Sequence, residues 1–353
     1  MDNYCAHRTF GPWRKRYVPY QLTKLSCAMR SLIKLLSFLG LVVISLWLIL
    51  ARPFVWFSDC CAAKSLADPV ALERYTRKIS TEFAPRDWKH VVNLNRLSDF
   101  ISNEFRRTNS DVYFQEFSIQ GSTYRNIISE YGSSEKGAPT IVVGAHYDAF
   151  GESEGADDNA SGVAGLLELG RMLSSQSPSV RVILVAYSLE EPPFFRSAQM
   201  GSAVHAASLV ASKENVRLMI SLEMIGYFSD LPGSQSYPSS ILNLFYPSRG
   251  NFIAAIGPLS FSSATINFKR AFSSSVSLPI KSMNAPAAIP GIDFSDHLNY
   301  WLQGFDAIMI TDTAFLRNLE YHEKGDTADR LNYDKMAQVI TAVFGFLISE
   351  PGT

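Results

Sequence analysis

The sequence predicts a three-layer α/β domain: a mostly parallel, mixed central sheet with helices on both faces, preceded by one N-terminal transmembrane helix. Three observations carry this. Runs with strand character and runs with helical period alternate between residues 111 and 349, the pattern that lays helices over both faces of one sheet. Several of the strand runs, TIVVGA and VRVILVAYS among them, are continuously apolar, as strands buried on both faces are. An uncharged segment, 35–51, stands near the N-terminus between Lys34 and Arg52.

That segment comes first in chain order. Its 17 residues, LLSFLGLVVISLWLILA, reach about 26 Å as a helix, close to a ~30 Å hydrocarbon core once Lys34 and Arg52 snorkel. Seven lysines and arginines lie between Arg8 and Lys34, whereas Arg52 and the twenty residues after it add only Lys64. This asymmetry keeps 1–34 as a basic cytoplasmic leader, makes 35–57 the anchor, and puts the rest outside the cytoplasm, periplasmic or extracellular. The rival is a cleaved signal segment and a secreted product, which a start at Met29 would favour.

Residues 58–89 form a connector and a lead-in helix, and 90–353 the α/β domain. Apolar positions at helical spacing mark 67–80, which opens on Asp-Pro, and 92–107. Strands follow at 111–119, 125–132, 140–146, 180–188, 216–222, 251–256 and 305–311. Helices fall at about 161–175, 197–212, 259–274, 295–303 and 333–349. The stretches 228–242 and 277–294, rich in Ser, Pro and Gly, read as irregular.

Lysine plus arginine (32) nearly balance aspartate plus glutamate (33), so no global field attracts nucleic acid. Cys5, Cys27, Cys60 and Cys61 lie outside the stretch that carries the chemistry and lack a paired zinc-ligand spacing. The adjacent Cys60 and Cys61 would form a strained disulfide, which favours free thiols or contacts with another chain.

In an open α/β sheet, ligands sit beyond the carboxyl ends of the strands. Four strand exits here carry metal-type side chains: His146-Tyr147-Asp148, Glu190-Glu191, Glu223, and Tyr321-His322. His146 with Asp148 two residues on suits an imidazole ligand and the carboxylate that orients it, though such a pair alone is an ordinary surface hydrogen bond. In Gly155-Ala156-Asp157-Asp158-Asn159-Ala160-Ser161-Gly162, a helix cap explains one acid but not the other, nor the glycines Gly162 and Gly165, where something must approach the backbone closely. Glu190 and Glu191 would face opposite ways in a strand. They can share one site only past its end, where Pro192-Pro193 stops the ladder.

These segments, with LEMIGY, SDHLNYW and YHEKGDT, resemble in order and spacing the zinc-dependent aminopeptidases, a group that also holds glutamate carboxypeptidases and glutaminyl cyclases. The resemblance covers roughly residues 90–349 and implies that 90–353 is a zinc peptidase domain acting on peptides, most simply an aminopeptidase. It implies two Zn2+ per chain: Asp158 bridging, His146 and Glu223 completing one site, Glu191 and His322 the other. Glu190 would be the general base, with Asp148 beside it in the catalytic set. It also implies a cis bond between Asp158 and Asn159.

The chain departs from the family pattern at Glu223, commonly Asp, and at PPFFRSAQ after Glu191, which is longer than usual and remodels the pocket rim. His297 competes with His322 for the last ligand position, and the Tyr-His spacing to Asp326-Thr327 favours His322. Nitrogen and carboxylate ligands without thiolate suit zinc and admit manganese or cobalt. Two rivals stay open: a glutaminyl-peptide cyclase with a single zinc, and an inactive membrane-anchored interaction domain. No residue in 228–294 announces whether a free amine or a free carboxylate is read.

Overall fold

The computed structural model describes residues 20–51, 67–259 and 263–351. Three of the four cysteines, Cys5, Cys60 and Cys61, lie outside the described residues, as do His7 and most of the leader and connector.

The chain divides into two units, Met1–Leu48 and Ile49–Thr353. The first is dominated by helix α1 (Tyr20–Ala51), which starts upstream of the uncharged run and carries Lys24, Arg30 and Lys34 in its first half. Within it, Ala28–Ile49 is long and apolar enough to cross a membrane, with a mean hydropathy of 2.5 and none of its residues buried. An anchor and a signal sequence share that signature.

The second unit opens with α2 (Pro69–Glu82) and α3 (Val91–Arg106). Asp68 caps α2, its carboxylate accepting the Val70 N–H at 2.9 Å. The strands are β1 (Asp111–Ile119), β2 (Ser122–Gly132), β3 (Thr140–His146), β4 (Arg181–Tyr187), β5 (Val216–Glu223), β6 (Ile253–Pro258), β7 (Ile280–Ala285) and β8 (Ala307–Thr311). They form one sheet in the order β1-β2-β4-β3-β5-β8-β6-β7. The centre, β4-β3-β5-β8, is parallel; β1 and β2 run antiparallel at one side, and β6 opposes β8 at the other. The remaining helices are α4 (Gly162–Leu173), α5 (Gly201–Ser212), α6 (Ala264–Ser275), α7 (His297–Leu302) and α8 (Tyr333–Ser349).

Strand alternation divides the core. Ile141, Val143 and Ala145 of β3 point into the layer that packs α2, α3, α4 and α8, while Val142 joins Tyr187, Leu209 and Tyr300 on the side of α5 and α7. Both faces of β3 are buried along its whole length, which is why its sequence shows no polar alternation.

Two expectations need correction. Strand β7 lies inside the stretch read as irregular: IKSMNA carries Lys281, Ser282 and Asn284, and an edge strand held by β6 on one side only needs no apolar run. Helix α5 begins at Gly201 rather than 197: residues 192–200 form turns, with Arg196 in the left-handed region (φ 60°).

Candidate metal centre

The centre forms where β3, β4 and β5 end and the loop after β8 folds back. His146 is the last residue of β3 and Glu223 the last of β5, so the parallel register delivers both to one sheet end. Beyond β4, Leu189 takes φ 62° and the chain leaves the ladder, turning Glu190 and Glu191 into the same space. Asp158 comes from the turn before α4, where Asp158-Asn159 is cis, as the family resemblance implies.

The glycines of this turn answer to close packing rather than to a ligand. A side chain at Gly162 would collide with Leu222 O of β5 at 2.6 Å, and one at Gly165 with Ile340 of α8 at 2.6 Å.

Three groups of three candidate ligand atoms result, His146–Asp158–Glu223, Asp158–Glu191–His322 and His146–Glu190–Glu191, and the first two share Asp158. His146 Nε2 lies 3.3 Å from Asp158 Oδ1 and 3.3 Å from Glu223 Oε2. His322 Nε2 lies 3.2 Å from Asp158 Oδ2 and 3.1 Å from Glu191 Oε2. Zinc bonds of ~2.0–2.1 Å at tetrahedral angles put ligand atoms about 3.3 Å apart, and these spacings match that separation. The His322 Nε2 and Glu191 Oε1 atoms are buried without a hydrogen-bond partner among the described residues. Buried atoms of this kind call for a partner that the protein itself does not supply, and the residues fit the metal that the resemblance implies. The longer Glu223 reaches this geometry, held by Ser295 Oγ, which donates to Glu223 Oε2 at 2.8 Å.

The charge balance agrees. Burial alone would depress the imidazole of His146, yet Glu223 and Glu190 hold it well above its ordinary range; at His322, Asp158 and Glu191 likewise outweigh burial and raise it to about 10. Burial and the charge of Asp158 push Glu191 up to about 7. Burial raises Glu190 far above the ordinary carboxylate range, with Glu191, Glu223 and Asp296 adding to it against His146. A divalent cation would supply the charge compensation that this cluster of buried carboxylates needs, and its binding would favour their deprotonated forms.

Supporting groups lock the ligands. Asp148 accepts the N–H groups of Glu190 and Glu191 at 3.2 and 3.0 Å, besides facing His146 Nδ1 at 3.5 Å, so it braces the β4 exit as well as the imidazole. Asp326 accepts the N–H groups of Asp157 and Asp158. Arg86 is fully buried and donates to the carbonyls of Tyr147, Glu154 and Gly155, clamping the loop that joins the first two ligands. His297 stands apart from all three groups; its Nε2 meets Ile292 O at 2.8 Å and its ring packs edge-on to Trp301. His205 is buried against the Tyr300 hydroxyl.

The metal cleft is lined by Asp158, Glu190, Glu191, Pro192, Phe195, Glu223, Phe294, Tyr321 and His322. The long PPFFRSAQ segment builds its rim: Arg196 pairs with Asp293, and Phe195 meets Phe294 edge-on at 5.6 Å. A second, apolar chamber shares Glu223, Phe294 and Tyr321 with the cleft and runs back between Phe252, Met283, Ile292, Met309 and Phe315. Periodicity gave no sign of Arg86 or of a role for Tyr321. For Tyr321 the available signal was its place next to a ligand histidine.

A buried two-lobed carboxylate–imidazole centre at the carboxyl end of an α/β sheet defines the class, a metal-dependent hydrolase. The profile of peptidase family M28 matches residues 126–347, and the chain belongs to that family. It is a zinc metallopeptidase. The chain is 50% identical over 300 residues to the uncharacterized protein YfbL of Escherichia coli, covering 83% of this chain and 91% of YfbL. A probable aminopeptidase of Saccharomyces cerevisiae, YDR415C, is 25% identical over 59% of this chain and 52% of its own length. Among solved structures, the zinc aminopeptidase BSAP from Bacillus subtilis superposes with a TM-score of 0.65 at 14% identity, over 80% of this chain and 95% of that one. A Bacteroides thetaiotaomicron glutaminyl cyclase superposes at 0.59 and 18% identity, over 80% and 98%. The fold is thus common to both activities.

Proposed function

We propose that this protein is an aminopeptidase with two zinc ions per chain, one held by His146, Asp158 and Glu223 and the other by Asp158, Glu191 and His322. The observation that carries the reading is the sharing of Asp158 between two complete ligand groups at coordination-shell spacing. The ions, when bound, polarise the scissile carbonyl and lower the pKa of water.

The chain's own residues do the rest. Glu190 is buried in the cleft but belongs to neither of the two groups that share Asp158; burial keeps its affinity for a proton high, which suits a base that takes a proton from water and passes it to the leaving amine. Burial and the charges of Asp158 and Glu191 keep the Tyr321 hydroxyl protonated, so it retains a proton to donate; it serves the carbonyl oxygen as negative charge develops there. Asp148 fixes the backbone that presents Glu190.

Substrate polarity follows from the lining. The residues lining the cleft include no lysine or arginine, and Arg196 at the rim is engaged by Asp293, so the lining offers no cationic partner for a substrate's free carboxylate, which favours reading of the free amine. The adjoining chamber favours an apolar N-terminal side chain; its single lining lysine, Lys281, lies on edge strand β7, three strand spacings from Glu223.

Metal analysis of the purified protein, with hydrolysis of N-terminally free and N-blocked peptides with and without chelator, tests the reading. The expected result is two ions per chain and chelator-sensitive cleavage of free peptides. Cleavage of blocked peptides alone would overturn the aminopeptidase assignment, and one ion with ring closure of N-terminal glutamine would establish a cyclase. For α1 we read an anchor that places the domain outside the cytoplasm, on the excess of basic residues before the apolar segment.

A further inference from the structure

The two candidate ligand histidines are supported differently. His146 ends a strand, is buried, and faces the Asp148 carboxylate with Nδ1 at 3.5 Å, without a hydrogen bond between them. A metal-binding imidazole ordinarily turns its second nitrogen to a carboxylate or carbonyl, which helps fix the plane of the ring. His322 has neither support. It sits on the loop after β8 at φ 61°, its side chain is 22% exposed, and among the described residues its second nitrogen has no hydrogen-bond partner.

Two aromatic rings hold it instead. Phe150 stacks on one face of the imidazole at a centroid distance of 4.2 Å and 4° between planes; Tyr321 covers the other at 3.8 Å and 19°. Phe150 is itself 38% exposed, a poor return in burial for a phenylalanine. Its loop is firmly held. The Ala149 N–H donates to Arg86 O, the Ser153 N–H to Phe150 O, and Ser153 Oγ to the carbonyl of Glu323, the residue after His322. The Phe150 loop and the His322 loop are therefore tied to each other beside the stacked rings.

Resting on the metal centre proposed above, we propose that Phe150 is a positioning residue for metal binding: its ring clamps His322 in the plane that aims Nε2 at the ion shared with Asp158 and Glu191. Tyr321 contributes the opposite face through its ring alone, separately from its hydroxyl. Without Phe150 the imidazole is free to swing toward solvent on its open side, and the site must order it again on each binding event.

The test is stepwise zinc binding to the metal-stripped full-length protein, by competition with a chromophoric chelator, for wild type, Phe150→Ala, Phe150→Tyr and His322→Ala. His322→Ala identifies which binding step uses His322. Phe150→Ala is expected to weaken that step about 10-fold, the scale seen when the support of a metal ligand is removed, and to leave the other step unchanged. Phe150→Tyr, which keeps the stacked ring, is expected to bind as wild type. An unchanged isotherm for Phe150→Ala overturns the inference, as does equal weakening of both steps or a loss that the tyrosine fails to restore. If wild type takes a single ion, the two-zinc reading fails, and the same comparison decides the role of Phe150 on that ion.

Discussion

Arg86→Met removes the buried fork that holds the loop between His146 and Asp158. The guanidinium is fully buried; its Nε reaches Tyr147 O at 3.0 Å, one terminal nitrogen reaches Gly155 O at 2.5 Å, and the other reaches Glu154 O. Methionine fills much of the volume but leaves the carbonyls of Tyr147 and Glu154 without a donor, at roughly 1–3 kcal/mol each, and Gly155 O with the Ala160 N–H alone. Part of that loss is offset, because burying the guanidinium is itself unfavourable: burial pulls its pKa from 12.5 down to about 10, against the attraction of Asp326 and Asp158. That shift corresponds to about 3 kcal/mol no longer spent on desolvation. The net cost expected is about 3–5 kcal/mol, the range for removing one partner from a buried charged network. In a domain of this size it lowers the thermal midpoint by on the order of 10 °C. The assay is thermal unfolding of zinc-loaded and metal-stripped protein, with zinc affinity measured on both variants. Arg86→Lys should recover little, since one ammonium cannot reproduce a planar fork to three carbonyls. A midpoint within about 2 °C of wild type, with unchanged zinc affinity, would refute the reasoning.

Glu190→Gln is expected to retain its metal and lose at least about 100-fold in kcat, on the scale of general acid–base contributions; normal turnover at full metal occupancy would remove Glu190 from the mechanism. Tyr321→Phe preserves the ring stacked on His322 and deletes only the hydroxyl, so kcat should fall about 100-fold with KM and zinc affinity little changed. A change in KM alone would make the hydroxyl a binding group instead. Acid stability should depend on His205, which burial lowers to about 3 from 6.5. The unfolded chain binds this proton below pH 6.5 and the folded chain does not until about 3, so stability falls as pH drops through that window. His205→Gln should therefore flatten the decline of stability between pH 6.5 and 5 by up to about 1.4 kcal/mol per pH unit, and an unaltered slope would show that other groups set it.

What was legible in the sequence, and what was not, follows sequence distance. Parallel strands put their exits on one side, so reading the residue after each apolar run finds His146, the Glu190-Glu191 pair and Glu223 without any knowledge of contacts. Asp148 was legible for the same reason, two residues from the imidazole it faces, although its hold on the Glu190 and Glu191 amides belongs to tertiary structure. Strand β7 was missed because an edge strand is free of the apolar demand that makes β3 conspicuous. Arg86 and Phe150 carry no local pattern at all: one precedes every strand and the other follows a ligand tripeptide, and each acts across the fold. The asymmetry reaches the metal centre itself. One imidazole faces a carboxylate encoded two residues away; the other is stacked on a ring from a distant loop, which substitution can alter without touching a candidate ligand. If the two sites differ in affinity, the His322 side should be the weaker and the more easily tuned, because its geometry depends on the packing of two loops and not on the end of a strand.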